Sequence, residues 1–97
     1  MLEYINAEIV EQDLITALDF MENEVLESKD EISDRAANLE IALSLSSNYH
    51  RQSELVFETM EGIKKTQTTI WAITDRNVIL SGGNFIPVHC IREVQIL

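Results

Sequence analysis

The sequence predicts one α+β domain over residues 1–97, an N-terminal helical hairpin followed by a small antiparallel, partly open β-barrel. Two observations predict it. Apolar residues before His50 recur every three or four positions, the spacing of one helix face. After His50 they alternate in short runs separated by turn residues, the pattern of strands closing on one another.

The first helix is expected over 6–28. Val10, Leu14, Leu18, Met21 and Val25 fall on one stripe, and Asn6 is a suitable N-cap with acids in the turn after it. The stretch "ESKDEIS" interrupts the stripe. Asp30 or Ser33 then caps a second helix over 31–47, with Ile32, Ala36, Leu39 and Leu43 as its stripe and Ala42 and Leu45 widening it. "SSNYH", rich in poor helix formers, ends it.

Residues 54–97 are expected to form a five-stranded barrel. "ELVFETM" alternates, "TQTTIWAIT" is β-branched and aromatic, and Gly62 in "EGIKK" turns one into the other. "DRN" and "SGGN" are further turns, leading into "VIL" and "FIPV", and "EVQIL" closes the set. Pro87 cannot donate to a ladder, so its strand belongs at a sheet edge or stops there, and "HCI" makes a single tight turn. Trp71, between Ile70 and Ala72 in the most apolar strand, is expected to fill the core.

Charge divides the chain in the same place. Residues 1–50 hold twelve acids against Lys29 and Arg35, a net charge of −10, while residues 51–97 hold five acids and five bases. The acidic half should repel phosphate backbones and attract basic partners, or simply keep a helix face solvated. One cysteine, Cys90, excludes an intrachain disulfide and fits a reducing compartment. The N-terminus has no basic flank or apolar block, so no signal peptide is expected, and no run nears the roughly 18 apolar residues of a membrane span. The expected location is the cytoplasm.

The stretches "LEIALSLSSNYH", "LVFETMEG", "TTIWAITDRNVIL" and "GGNFIPVHCIREV" resemble a family of short, uncharacterised bacterial proteins over about residues 39–94. That resemblance implies no activity. Ser46 stands where the family pattern has glycine after the helix. "FIPVHCIREVQI" is also similar to the last strand, turn and strand of SH3-like barrels such as the Rho-binding antiterminator and WYL-type regulatory domains, through Ile86, Val88, Ile91 and Val94. The similarity implies an SH3-like barrel and says nothing of function.

Few residues suggest chemistry. His89 beside Cys90 offers a base and a nucleophile, but adjacent residues rarely meet in the needed geometry and no third group orients them. In strand geometry they would point to opposite faces. His50, His89 and Cys90 have no metal-ligand spacing, and "SGGN" precedes a strand rather than the helix of a phosphate loop. No catalytic, metal or cofactor residue is expected, and the protein reads as a non-enzymatic interaction or regulatory module. Ile5, Ile9, Ile15, Phe20 and Leu26 fall off the main stripe of the first helix and form the candidate partner surface, a homo-oligomer being the simplest use of it. The alternative is an RNA- or DNA-binding regulator using Lys64, Lys65 and Arg76 on the barrel.

Overall fold

The one long helix, α1 (Lys29–Tyr49), opens with a capping box. The Ser28 hydroxyl accepts from the Glu31 N–H at 3.1 Å, and the Glu31 carboxylate accepts from the Ser28 N–H at 3.2 Å. The cap is thus Ser28, ahead of both expected candidates. Asp30 and Glu31 favour the positive end of the helix dipole. Arg35, Leu39, Ala42 and Ser46 form the buried stripe, rotated from the expected one so that Ala36 faces solvent. His50 ends the helix in the left-handed region, φ 54°, its N–H reaching the carbonyls of Leu45 and Ser46.

The computed structural model describes residue 4 and residues 6–97. Ile5 lies outside the described residues. The helix expected over 6–28 is not formed. Its place is taken by a short strand β1 (Glu8–Ile9), a 3₁₀ segment (Gln12–Ala17) and extended chain. The reason is electrostatic and tertiary. Glu8 and Glu11, Asp19 and Glu22, and Glu24 and Glu27 would repel at i,i+3, and residues 6–28 contain no base to offset them. Ile9, Val10, Ile15, Thr16 and Val25 are β-branched and lower helix propensity further. The body of the protein offers backbone partners instead. Val10 N–H donates to the Lys65 carbonyl at 2.8 Å, Met60 N–H to Asp19 at 2.8 Å, and Val25 N–H to His89 at 3.0 Å. Residues 6–27 are therefore a strap across the strands.

The remaining strands are β2 (Ser53–Thr59), β3 (Gly62–Thr68), β4 (Ile70–Ile73), β5 (Asn77–Leu80), β6 (Phe85–Pro87) and β7 (Ile91–Ile96). They form two sheets, in orders β1-β3-β2-β7 and β4-β5-β6, and do not close into one barrel. Every pairing is antiparallel except β1 with β3. The run expected to be one strand, "TQTTIWAIT", is two: the chain leaves the first sheet after Thr68 and enters the second at Ile70. Pro87 ends β6, an edge strand, and a 3₁₀ turn (Val88–Cys90) leads into β7. Central strand β2 is buried along most of its length.

The core joins all these elements. Leu39 and Ala42 of α1 meet Leu55, Phe57, Ile70, Val78, Leu80, Ile86, Cys90 and Ile91, and the strap adds Ile15. The Phe20 ring packs at 6.2 Å, tilted, against Phe57.

Candidate functional site

Three places on the molecule bring together residues with chemical or recognition potential. The first is the junction of strap, helix and 3₁₀ turn. Arg35 is almost wholly buried, and its guanidinium takes both oxygens of Glu24, at 2.7 and 2.6 Å, and the Ile91 carbonyl at 3.0 Å. Beside it His89 Nε2 lies 2.7 Å and Cys90 Sγ 3.2 Å from the Met21 carbonyl. The two side chains, expected to diverge, converge on one atom. Because that atom is a carbonyl, it is an acceptor, so both groups donate. In the neutral ring the proton is then on Nε2, leaving Nδ1 as an acceptor. Burial pushes the Cys90 thiol up to about 11, and the Glu24 and Glu58 carboxylates add to it. A protonated donor thiol ties the strap down rather than attacking an electrophile.

A hollow of about 580 Å³ opens over this junction, lined by Glu24, Arg35, Asp75, Arg76, Asn77, Pro87, Val88 and His89. Its two acids face two arginines, so it has no net charge to select a charged ligand. Among the described residues, no three His, Cys, Asp or Glu side chains are grouped so as to hold a metal ion. No helix among them is long and apolar enough to cross a membrane.

The second place is the outer face of β4-β5-β6. The register sets Ala72 beside Ile79 and Ile79 beside Phe85, one apolar row across all three strands. Their neighbours Ile70, Val78, Leu80 and Ile86 turn to the core. Between Ile70 and Ala72 the register slips, and at this bulge Trp71 stands 61 % exposed. The sequence-based expectation of a core tryptophan is therefore corrected: the slip turns the ring outward. Phe85 is 43 % exposed at the end of the row.

The third is the strap, which held the candidate partner surface. Ile15 is fully buried, Leu26 is buried, and Phe20 is half-buried on Phe57. Of the four described residues of that surface, only Ile9, 63 % exposed, faces solvent. The helical arrangement that would have displayed the four together does not exist. The cations of the alternative surface are scattered. Lys64 is half-buried and ion-paired with Glu8 on β1, Lys65 follows it on β3, and Arg76 sits in the turn between β4 and β5. The other sheet carries the exposed Trp71 and Phe85, so these two rings and two of the three cations do not share a sheet.

Compared with models of known families, with curated proteins and with solved structures, the chain matches none of them.

Proposed function

We propose that this protein is a non-enzymatic interaction module that self-associates through the outer face of β4-β5-β6. The observation that carries the reading is Trp71, a large aromatic ring standing in solvent beside an apolar row. Exposed apolar patches of this kind mark interfaces, and tryptophan is the residue most enriched at their energetic centres. Charge selects the second copy's approach. Two acidic halves would meet with −10 on each, whereas the halves spanning 51–97 are each neutral. Self-association thus uses the sheet face and keeps the acidic straps apart, in place of the acidic helices expected from sequence.

The fold is proposed to be of the SH3-like small-barrel kind. What supports this is the 3₁₀ turn Val88–Cys90 before the last strand and the return of that strand to β2. A single buried free cysteine suits a reducing, cytoplasmic setting.

The same exposure of Trp71 and Phe85 favours a second reading, single-stranded nucleic acid stacked on the rings. Salt separates the two. Self-association of a chain of net charge −10 strengthens as salt screens residual repulsion, whereas nucleic-acid binding weakens as counterion release is lost. Light scattering across micromolar concentrations, at low and high salt, is expected to show a dimer that salt favours and that Trp71→Ser abolishes. A strict monomer under all conditions removes the proposal. A labelled oligonucleotide that binds at low salt and is lost in Trp71→Ser installs the second reading.

A further inference from the structure

A second hollow, of about 520 Å³, lies where the strap passes the β2–β3 turn, and it differs in kind from the charge-balanced one. Asp19, Phe20, Met21, Glu22, Asn23 and Met60 line it. Its volume falls within the roughly 300–1,000 Å³ of ordinary ligand sites.

The floor is held in place before any partner arrives. The Asp19 carbonyl accepts from the Met60 N–H at 2.8 Å, and Phe20 bridges to Thr59. The Met21 carbonyl takes the His89 and Cys90 bonds. Three successive residues of the strap are thus pinned through their backbones. The accessible parts of their side chains and the exposed Met60 then define a surface. Met60 is 67 % exposed at the turn, although an apolar side chain there gains nothing from water. Methionine is unbranched and polarisable, the type used on surfaces that adapt to a partner's side chain.

The charge of the hollow is one-sided. Asp19 and Glu22 are exposed, no cation lines the hollow, and among the described residues neither carboxylate is paired. An apolar floor with two carboxylates at the rim is complementary to one kind of side chain: a long aliphatic stem ending in a cation. We infer that this groove receives a lysine or arginine side chain from a basic segment of a partner protein, the stem lying on Phe20, Met21 and Met60 and the cation reaching Asp19 and Glu22. The −10 of the surrounding half draws such a segment in from a distance. Another copy of the chain is a poor source, because its own acidic half repels this one.

The test uses the full chain and a hexalysine peptide as probe. Titration followed by amide NMR shifts is expected to show binding at low salt, with the largest shifts at Asp19–Asn23 and Met60. Asp19→Asn combined with Glu22→Gln should weaken it about five- to tenfold, the combined effect of two exposed charge contacts. Met60→Ser should weaken it with every charge intact. The control is Asp13→Asn with Glu40→Gln, which removes two exposed acids elsewhere and should change affinity by less than about twofold. Equal losses in the control and in the groove variant, or no loss in Met60→Ser, would reduce the effect to bulk charge and overturn the inference. So would shifts spread over the whole acidic half. Hexaglutamate, which should not bind, checks the sign of the charge requirement. All these variants change exposed side chains, and thermal melts that match the parent's make the affinities comparable.

Discussion

Arg35 and Glu24, on the helix and the strap, meet in a two-pronged ion pair with N···O distances of 2.7 and 2.6 Å. The guanidinium is buried while the carboxylate keeps some exposure, its side chain 31 % accessible against 5 % for Arg35. The pair therefore matters mainly as the counter-charge that lets an arginine sit inside a small domain. Glu24→Gln leaves that arginine without its counter-charge and should cost about 2–3 kcal/mol, read by urea denaturation at neutral pH.

The same contact fixes a pH dependence. Burial alone raises the Glu24 carboxyl, but hydrogen bonds from Arg35, Leu26 and Val25 and the arginine's charge outweigh it and hold it below the usual 4.5. The unfolded chain then binds the proton more readily than the folded one. The pair's contribution is present above 4.5 and is lost as pH falls below it through the lower folded value. Denaturation midpoints followed downward from pH 6 should fall less steeply in Glu24→Gln than in the parent.

Ile15 is the strap residue sunk deepest in the core. Ile15→Ala should cost about 2–4 kcal/mol and loosen the strap before the sheets. Hydrogen exchange is the check: the amides of Val10 and Val25, bonded to Lys65 and His89, should lose protection first. Loss of protection spread evenly over β2 and α1 would show that the strap is no separate unit.

Cys90 should be nearly inert to thiol reagents in the native protein. With its thiol at about 11, roughly one molecule in ten thousand carries a thiolate at pH 7, and that thiolate is buried. A disulfide-exchange reagent should react only as fast as the protein opens, and rapidly in denaturant. Fast native labelling would mean that the bond Cys90 donates to the strap's Met21 carbonyl is seldom made.

Trp71 is the single tryptophan and stands in solvent, so it reports on its own environment without interference. Its emission should be that of a hydrated indole at nanomolar concentration and shift to the blue as copies associate. No shift across the range that changes light scattering would move the interface off this face.

His50 holds φ 54° at the end of α1, a conformation that costs an L-residue about 1 kcal/mol and glycine almost nothing. His50→Gly should raise stability by about that amount, seen as an upward shift of the urea midpoint with unchanged slope.

Much of the architecture was legible because local pattern and tertiary role agree there. The second helix, the α+β class and the edge position of Pro87 follow from 3.6-residue spacing and from proline's missing donor. Two misreadings have separate causes. Val10, Leu14, Leu18 and Met21 have helical spacing, but the run contains no base, and spacing alone takes no account of like charges one turn apart. Trp71 lies in an apolar run, but a one-residue register slip turns it outward, and no sequence pattern marks the slip. The candidate surface suffered most, because it assumed a helix. Phe20 lines the acidic groove while Ile15 and Leu26 turn inward. The partners of Met21, His89 and Cys90 lie almost seventy residues ahead in the chain, beyond any local signal.

That separation has a consequence during synthesis. Residues 8–25 leave the ribosome before residues 60, 65 and 89, which supply their backbone partners. At about 5–20 residues per second, Ile15 and Phe20 wait several seconds to more than ten for the strands that bury them. Through that interval the segment has no regular structure to hide its apolar side chains. It does carry an acid every few residues, and these repel neighbouring nascent chains. The charge that prevents the segment from forming a helix therefore also protects it until its sheet exists.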